Sequence, residues 1–304
     1  MASPLVSIII LNWNGYEVTK DCIASLKAVE YDNFKMLVVD NGSKDGSVEK
    51  LLCDYSGAIE ILALDKNYGF AEGNNRGIDH VRKKCSPDYI LLLNNDTVVD
   101  KNFLTRMIDA AESEKDAALV VPKIFYYDAP DVLWYAGGYF NRFSGMGEHY
   151  GKNKKDDKRY SSRKMISFAN GCALLIKESL LKEEKILDDI FFANCEDTDL
   201  SVRVVRKNKK IIYEPAAVIW HKVSFSFRKG SGSWIAFYLA TRNMIILQKK
   251  HAGKSMQLVF MFYMMLRWVL YLEAKHILKG EWKICRAILH GLQDGYSSRL
   301  RFVG

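Results

Sequence analysis

The stretch Tyr89-Ile-Leu-Leu-Leu-Asn94-Asn95-Asp96-Thr97 decides the fold. Its apolar run is typical of a short strand that is buried on both faces, as in parallel sheets, and polar side chains follow where that strand ends. Ligands of open α/β sheets bind at that edge. A carboxylate held there by asparagine-rich turn chemistry is well placed to bind a divalent cation. Taken alone, Asn-Asn-Asp more often forms an ordinary turn before a helix, so a cation site needs support from the rest of the chain.

Composition indicates a globular protein. The chain has 304 residues, of which 49% are hydrophobic and 26% charged, which suggests one large domain with an appendage, or two domains. The apolar run Leu5–Leu11 lacks the basic start and small-residue cleavage site of a signal peptide, so it predicts a strand. Six cysteines are scattered without close pairs, which argues against a disulfide framework or a zinc site and favours a reducing cytoplasm.

Charge is distributed unevenly along the chain. Residues 201–304 carry 19 Lys and Arg against 4 Asp and Glu, whereas residues 1–200 carry 25 against 32. An acidic-leaning first part is therefore followed by a strongly basic tail. Such a tail indicates an anionic partner surface, either a membrane or a nucleic acid.

Strands and helices alternate in the first part of the chain. Four apolar runs predict strands, and each is followed by a polar or Gly-rich turn. These strands are Leu5–Leu11, Phe34–Val39, Ile59–Leu64 and Tyr89–Leu93. The alternation predicts a parallel, doubly wound sheet whose turns line up along one edge, where a nucleotide is the expected ligand. The turns contain neither a Walker A loop nor a G-x-G-x-x-G fingerprint, so P-loop NTPases and dinucleotide enzymes are not supported.

The pattern changes after residue 117. Short strands are predicted at Leu119–Val121, Leu133–Phe140, Met165–Phe168, Cys172–Ile176, Ile211–Tyr213 and Val218–Trp220. The polar stretch 141–163 is long for a structureless loop and is expected to be mobile or functional. A helix begins at Glu196-Asp197-Thr198-Asp199, where the acids could simply complement the helix dipole. His221 ends the last predicted strand, a position where a histidine is more often structural than a ligand.

Together, seven stretches resemble the family 2 glycosyltransferases with the GT-A fold. They follow the family's order over about residues 5–225 and are individually weak but jointly specific: Val6–Gly15, Val38–Ser47, Asn67–Gly77, Leu91–Asp96, Asn170–Ile176, Glu196–Leu200 and His221. Within the family, the sequence is most similar to rhamnosyltransferase-type members. The resemblance implies a Rossmann-like, mostly parallel sheet with helices on both faces. It divides the chain into a catalytic domain, residues 1–225, and a basic, aromatic-rich helical tail, residues 226–304.

The resemblance also implies roles for individual residues. Asp40 would hydrogen-bond the nucleobase of the donor, and Asn12, Trp13 and Asn14 would belong to the same pocket. Further residues would border the donor, where glycine lets the backbone approach it closely: Asn67, Gly69, Phe70, Asn74 and Asn95.

The implied metal site and catalytic acids lie further along the chain. Asp96 stands at the family's metal-binding D-x-D position, with Asn94 in place of an acid, and His221 would complete the site for Mn²⁺ or Mg²⁺. Asp197 would take the proton from the acceptor hydroxyl, with Glu196 as the second candidate. Family membership implies a single in-line displacement with inversion at the anomeric carbon.

The tail reads as three helices, Trp234–Lys249, Met256–Leu278 and Trp282–Leu292. The middle helix is nearly long and apolar enough to span a membrane, but Arg267 would lie inside the span at a cost of roughly 3 kcal/mol. We therefore expect it to lie in the membrane interface, with Lys and Arg at anionic headgroups. A dimer interface or packing on the catalytic domain is the alternative. Whether Arg228, Lys229 and Arg242 face a diphosphate stays open.

The sequence thus predicts an inverting, metal-assisted sugar transferase of cell-surface polysaccharide synthesis. The donor would be a dTDP-, UDP- or GDP-linked sugar, with rhamnose as one option, and the acceptor a lipid-linked or glycan hydroxyl. The protein would be cytoplasmic and peripheral on the inner face of the cell membrane, and a homodimer is left open. A non-enzymatic nucleotide- or nucleic-acid-binding protein is the alternative, disfavoured because the tail's aromatics cluster on apolar helices. A sugar-nucleotide pyrophosphorylase would need a basic, Gly-rich signature near the N-terminus, which is absent.

Overall fold

The computed structural model describes residues 3–181, 185–223 and 232–301, and its first part shows the predicted alternation of strands and helices. The four predicted strands of this part lie within one or two residues of their predicted limits. Up to residue 112 the elements are β1 (Val6–Asn12), α1 (Tyr16–Leu26), β2 (Phe34–Asp40), α2 (Ser47–Tyr55), β3 (Glu60–Ala63), α3 (Gly69–Cys85), β4 (Tyr89–Asn94), β5 (Thr97–Val99) and α4 (Phe103–Glu112).

The middle of the chain contains short strands, two single-turn 3-10 helices and the helix that carries the candidate acids. The 3-10 helices are Lys158–Tyr160 and Asp189–Phe191. The other elements are β6 (Ala117–Tyr126), β7 (Ala129–Tyr135), β8 (Gly138–Asn141), β9 (Met146–His149), β10 (Lys164–Ile166), β11 (Ala173–Lys177), α5 (Glu178–Leu181), α6 (Glu196–Arg206) and β12 (Lys210–His221).

One mixed, mostly parallel sheet forms the centre of the molecule. Its strand order is β10-β12-β6-β11-β4-β1-β2-β3, with β5 paired to β12 and β7 to β6. Strands β3, β2, β1 and β4 are parallel, and β11 runs antiparallel to its neighbours β4 and β6. Strands β1 and β4 are almost continuously apolar because they are buried in the middle of the sheet, where Ile8, Ile9 and Ile10 are fully buried.

Two sequence-based expectations for the middle region were wrong. The single strand predicted over Leu133–Phe140 is two strands, β7 and β8, because Gly137 adopts φ +83° and turns the chain. The stretch 141–163, expected to be mobile or functional, contains β9, which pairs with β8, and a 3-10 helix. The two strands predicted between residues 211 and 220 are one strand, β12, which stays paired to β6 across a register shift between Glu214 and Val218.

The tail is helical, as predicted. Its elements are α7 (Gly232–His251), α8 (Lys254–Met264), a π-helical stretch (Met265–Glu273), α9 (Ala274–Leu278) and α10 (Trp282–Ser297). Helices α7 and α10 pack against each other, and Gly291 and Gly295 of α10 lie against α7 with no room for a side chain. The continuous segment Lys254–Leu278 is long and apolar enough to cross a membrane, by length and composition alone, and little of it is buried.

Candidate active site

The carboxyl ends of β1, β2 and β4 bring the first predicted residues together. Parallel pairing places Asn12 opposite Asp40 and Leu11 opposite Asn94. The Nδ2 of Asn12 donates to Oδ2 of Asp40 over 2.7 Å, and the other Asp40 oxygen accepts from the Ser43 amide over 2.9 Å. Both Asn12 and Asp40 are buried. The Asp40 carboxylate is therefore fixed in place at the sheet edge before any ligand arrives.

Asn95 lies beneath this pair as part of its support. Its Nδ2 donates to Thr19 Oγ1 over 2.9 Å and to Asn12 Oδ1 over 3.3 Å, and Thr19 Oγ1 itself donates to Asn12 Oδ1 over 2.9 Å. Thr19 was missed by the sequence analysis. It is a buried polar residue on the inner face of α1, and no local motif marks it. The three side chains satisfy one another in the protein interior.

Trp13 and Asn14 occupy the turn above Asn12. Asn14 adopts φ +50°, a conformation that asparagine tolerates better than most residues, and its Oδ1 accepts from the Lys44 amide over 2.7 Å. The Asn14 amide donates to Ser43 Oγ over 2.8 Å. These bonds join the turns after β1 and β2. The Trp13 side chain is 38% exposed, so its ring is available to a ligand at this edge.

A second group of amides shapes the start of α3. Asn67 Oδ1 accepts from Asn41 Nδ2 over 3.0 Å and from the Gly69 amide over 2.8 Å. Asn41, which the sequence analysis did not select, also donates to the Gly69 carbonyl and accepts from the Tyr68 amide. Its place directly after Asp40 in Asp-Asn-Gly-Ser was the available signal. Asn41 thus connects the turn after β2 to the predicted donor-binding turn.

Gly69, Phe70 and Asn74 follow that turn. Gly69 has φ +82°, and a Cβ there would lie 2.6 Å from the carbonyl oxygen of Phe192, so only glycine fits. The Phe70 ring lies near Gly171, beside Asp197. The side-chain nitrogen of Asn74 donates to the Phe70 carbonyl, one helical turn earlier, over 2.8 Å. It therefore does not face this edge of the sheet.

Asp96 and His221 form the centre of the site. The antiparallel pairing of β5 with β12 sets His221 opposite Thr97, so the imidazole reaches the residue just before β5. His221 Nε2 lies 3.0 Å from Asp96 Oδ1, and both side chains are buried. Burial lowers the pKa of His221, whereas the Cys172 sulfur and the Asp96 carboxylate raise it more strongly, giving a pKa of about 10.

The two side chains suit a hard divalent cation. Asp96 offers a carboxylate and His221 an imidazole, which are ligand types that divalent cations take, and in this structure the two side chains hydrogen-bond to each other over 3.0 Å. Within the described ranges, no group of three or more His, Cys, Asp and Glu side chains could hold a metal. Asp96 and His221 are therefore the two residues that would hold a cation at this place.

Asp197 lies across the Asn170-Gly171-Cys172 turn from this pair. One carboxylate oxygen of Asp197 accepts from the Gly171 amide over 3.1 Å, and the other accepts from the Thr198 amide over 2.7 Å. The carbonyl of Cys172 accepts from the Asn94 amide over 2.8 Å. The same short turn therefore holds Asp197 on one side and the end of β4 on the other.

Glu196 and Asp197 are two buried acids with different surroundings. Burial, and then the charge of Asp197, raise the pKa of Glu196 to about 8, and its Oε2 has no hydrogen-bond partner. Burial also raises the pKa of Asp197, but its hydrogen bonds from Gly171 and Thr198 oppose this. Because two backbone amides donate to Asp197 and Glu196 Oε2 has no partner, the surroundings favour the proton of the pair on Glu196 and the charge on Asp197.

The third acid of this helix start has a structural role. Asp199 is fully buried, and its carboxylate pairs with Arg203, Lys250 and His251 over 2.6–2.8 Å. Burial alone would raise the pKa of Asp199, but these partners, with His251 and Lys250 foremost, hold it far below its usual range. Asp199 thus joins α6 to the end of α7.

The aromatic residues beside His221 were also missed by the sequence analysis. The Trp134 ring lies edge-on to His221 and to His149, with ring centroids 4.6 and 4.9 Å apart. His149 Nε2 accepts from Nδ2 of Asn170 over 3.4 Å, and burial lowers the pKa of His149 to about 4. His149 is therefore neutral at physiological pH. These residues come from the region where the strand limits were predicted wrongly, so their convergence had no sequence signal.

The arginines of the tail divide into two cases. Arg242 is 1% exposed, and its Nη1 donates to the Ile190 carbonyl over 2.7 Å and to Asn243 Oδ1 over 2.6 Å. It therefore faces a protein loop, and the option that it faces a diphosphate is not borne out. Arg228 and Lys229 lie outside the described residues.

Comparisons with known proteins agree with this geometry. Residues 7–184 match the model of the family described as Glycosyl transferase family 2. The rhamnosyltransferase WbbL of Escherichia coli K12 is 26% identical over 219 residues, which cover 70% of this chain and 81% of that protein.

Two solved structures share the fold. TarS 1–349 of S. aureus, in complex with UDP-GlcNAc, superposes with a TM-score of 0.62 at 12% identity and covers 97% of this chain and 88% of its own. GalNAc-T7, solved with UDP, GalNAc and Mn²⁺, has a TM-score of 0.62 at 14% identity and covers 81% of this chain and 48% of its own. From the family match over more than half its length and from this fold, the chain belongs to glycosyl transferase family 2 and is a glycosyltransferase of GT-A fold.

Proposed function

We propose that the enzyme transfers a sugar from a nucleoside-diphosphate donor to an acceptor hydroxyl in one inverting displacement. The observation that carries the proposal is the convergence of Asp96, His221 and Asp197 around the Asn170-Gly171-Cys172 turn, beside the Asp40 pocket. Two separate sites follow: one for the nucleoside at the ends of β1 and β2, and one for the reacting atoms at the end of β4. As the donor sugar we propose rhamnose first, because the relative WbbL is named a rhamnosyltransferase.

Asp40 would bind the nucleobase, and Trp13 would contact it or the ribose from the exposed side. Asn12, Asn14 and Asn95 would hold Asp40 and its turns in place through the hydrogen bonds described above. The opposite wall of the pocket would consist of Asn67, Gly69 and Phe70. Asn74 would support this wall by donating to the backbone carbonyl of Phe70. The pocket is rigid before the donor binds, so little ordering entropy opposes binding.

Asp197 is the base we propose. It would accept the hydroxyl proton as the acceptor oxygen bonds to the anomeric carbon and the bond to the diphosphate oxygen breaks. The hydrogen bonds from Gly171 and Thr198 keep Asp197 ionised and aim it, while Glu196 retains its own proton. The electron pair of the breaking bond leaves with the diphosphate.

Asp96 and His221 would hold a divalent cation, Mn²⁺ or Mg²⁺. Such a cation neutralises the charge that develops on the leaving diphosphate. The carboxylate and imidazole of the pair suit such a cation chemically, and GalNAc-T7, which shares the fold, was solved with Mn²⁺.

We also propose an acceptor class and a cellular location. We place the acceptor hydroxyl on a lipid-linked or glycan molecule and the protein on the cytoplasmic face of the cell membrane, held by the tail. Exposed apolar side chains along the helical segment 254–278, such as Leu258 and Phe262, lie among basic residues that suit anionic headgroups. The division of the chain near residue 225 remains part of the proposal.

The first test is thermal unfolding with candidate donors. UDP-, dTDP- and GDP-sugars are each added with Mn²⁺ and then with EDTA, because a ligand that binds only the folded state stabilises it by about 2.7 kcal/mol at a hundred times its Kd. We expect one nucleotide class to raise the melting temperature, and the rise to shrink in EDTA and in Asp96→Ala. Asp197→Asn should keep the shift and lose sugar transfer.

The controls separate the two sites. Asp40→Asn should weaken the shift whether or not the cation is present, because it alters the nucleobase contact. Full transfer activity in both Asp96→Ala and Asp197→Asn would contradict the proposed mechanism. A shift that is unaffected by EDTA would contradict the role given to the cation while leaving the nucleoside site in place.

A further inference from the structure

The loop that precedes the candidate acids has an unfavourable backbone conformation, which contacts with neighbouring residues hold in place. Phe192, Asn194 and Cys195 have φ of 53°, 69° and 75°, in the left-handed region that residues other than glycine seldom adopt. Cys195 is also the residue from which α6 starts, so its backbone sets the direction of Glu196 and Asp197. A loop in this conformation persists only where its surroundings fix it.

One side chain of the tail donates to several carbonyls of this loop. Asn243 of α7 is fully buried, and its Nδ2 donates to the carbonyls of Phe191, Ala193 and Asn194, each over 2.8 Å. These carbonyls span the part of the loop where the φ angles turn positive. An NH₂ group that shares its two hydrogens among the carbonyls of Phe191, Ala193 and Asn194 fits this loop conformation and would not fit an extended one.

Arg242 orients the amide. Its Nη1 donates to Asn243 Oδ1 over 2.6 Å and to the Ile190 carbonyl over 2.7 Å. Because arginine offers only donors, the oxygen of Asn243 must face Arg242, and its NH₂ group must face the loop. Hydrophobic packing continues the contact, as Phe191 packs against Ile246 and Leu247.

The loop is also joined to the predicted donor-binding turn. The Phe192 carbonyl accepts from the amides of Phe70 and Ala71 over 2.6 and 3.1 Å. The segment Ile190–Cys195 therefore contacts the start of α3 on one side and carries Glu196 and Asp197 on the other. Any displacement of the segment moves the proposed base relative to the donor.

We propose that Asn243, oriented by Arg242, is a positioning residue for catalysis: it holds the segment Ile190–Cys195 so that Asp197 faces the reacting atoms. The inference rests on the proposed function, since it takes Asp197 as the base. The tail thereby contributes to transfer as well as to any surface contact. Neither residue touches the donor, so its effect should appear in kcat and in the pH profile, with the donor KM little changed.

The experiment compares full-length Asn243→Ala with full-length Gln248→Ala. Gln248 is a matched control, a buried amide on the same helix whose Nε2 donates to one carbonyl, that of Arg142, outside the segment. Asn243→Ala should lower kcat at least thirtyfold, change the donor KM less than threefold, and move the acid limb of the pH profile down by about one pH unit as the acids become hydrated. Gln248→Ala should leave kcat within threefold and the acid limb in place.

Hydrogen exchange gives a readout that needs no turnover. Amides of residues 190–199 should exchange at least tenfold faster in Asn243→Ala than in the wild type, and Gln248→Ala should change only the region around Arg142. Equal exchange at 190–199 together with a pH profile like that of Gln248→Ala would overturn the inference. If Asn243→Ala does not fold, Arg242→Lys replaces it as the test variant. This substitution keeps the positive charge but removes the planar guanidinium that donates to both Asn243 and Ile190. An unchanged pH profile and exchange pattern in Arg242→Lys would overturn the inference in the same way.

These experiments distinguish a wrong assignment of Asp197 as the base from a wrong positioning role for Asn243. If Asp197→Asn retained full activity while Asn243→Ala still accelerated exchange at 190–199, the assignment of the base would be wrong and the hold on the segment would stand. If the wild type transferred sugar, Asp197→Asn did not, and Asn243→Ala behaved as the control, the positioning role alone would fall.

Discussion

Glu196 is a buried acid whose oxygen Oε2 has no partner, and the protein tolerates it by keeping it protonated. Its pKa is raised from 4.5 to about 8 in the folded state, mainly by burial. The folded protein therefore holds this proton more tightly than the unfolded chain does. The stabilisation is complete below pH 4.5 and is lost as the pH rises towards 8.

Glu196→Gln should remove this dependence. Each unit of difference between the folded and unfolded pKa corresponds to about 1.4 kcal/mol, so the free energy of unfolding of the variant should exceed that of the wild type by a few kcal/mol more at pH 8 than at pH 5. Urea unfolding at the two pH values measures the difference. Glu72→Gln, at a partly exposed acid, serves as the control and should show little of it. Parallel pH profiles of wild type and Glu196→Gln would show that Glu196 is ionised in the folded protein.

The candidate site was predictable wherever a residue sits at the end of a strand. Asp40 and His221 end strands, and Asp96 lies two residues after the end of β4. The topology of a parallel sheet brings such positions to one edge. Thr19 and Asn243 could not be found in this way. Each is a polar residue on an otherwise buried helix face, and its meaning depends on partners that only the folded chain supplies.

The exposed apolar helical segment 254–278 is the element whose role is easiest to test. Full-length protein should co-sediment with vesicles that contain anionic phosphatidylglycerol and bind weakly to pure phosphatidylcholine. Each basic residue near the surface contributes about 1 kcal/mol with anionic lipid. Joint substitution of Leu258, Phe262 and Leu266 by serine should reduce binding at least tenfold, since burial of each such side chain contributes roughly 1.5–3 kcal/mol.

Leu52→Ser is the matched control for these substitutions. Leu52 is an exposed apolar residue on α2, far in sequence from the tail, and its loss should leave vesicle binding unchanged. Sedimentation equilibrium without lipid distinguishes the alternative. A wild-type dimer that the three serine substitutions convert to a monomer, with no vesicle binding, would identify the segment as a contact between copies of the chain.

Elements differed in how far the sequence revealed them. Strands β1, β2 and β4 could be predicted because strands that are buried on both faces have nearly continuous apolar sequences. Strand β5, only Thr97–Val99, was not predicted, because three residues carry no usable periodicity and its partner β12 lies far along the chain. The strand predicted over Leu133–Phe140 failed for a related reason, since one glycine at φ +83° divides an apolar run into two strands of different sheets.

Across the molecule, the helical tail and the preceding part of the chain share buried polar contacts. A chain that ends at residue 223 would lose the Asn243 donors to three carbonyls and the Lys250 and His251 partners of Asp199. Each buried polar group left unsatisfied costs about 1–3 kcal/mol. We expect this chain to melt at a lower temperature and to transfer sugar at least a hundredfold more slowly. A truncated protein with the melting temperature and kcat of the full chain would show that these contacts are dispensable.

The contact between Asp96 and His221 also determines when the site can form during synthesis. The two residues are 125 positions apart in sequence, and they meet only once β12 has paired with β5. Strands β1 to β4 can assemble from the emerging chain well before that, because their contacts are shorter in range. In a growing polypeptide on the ribosome, Asn12 could thus meet Asp40 before Asp96 can meet His221. The proposed cation site would be completed last, after β12 has been made and has paired with β5.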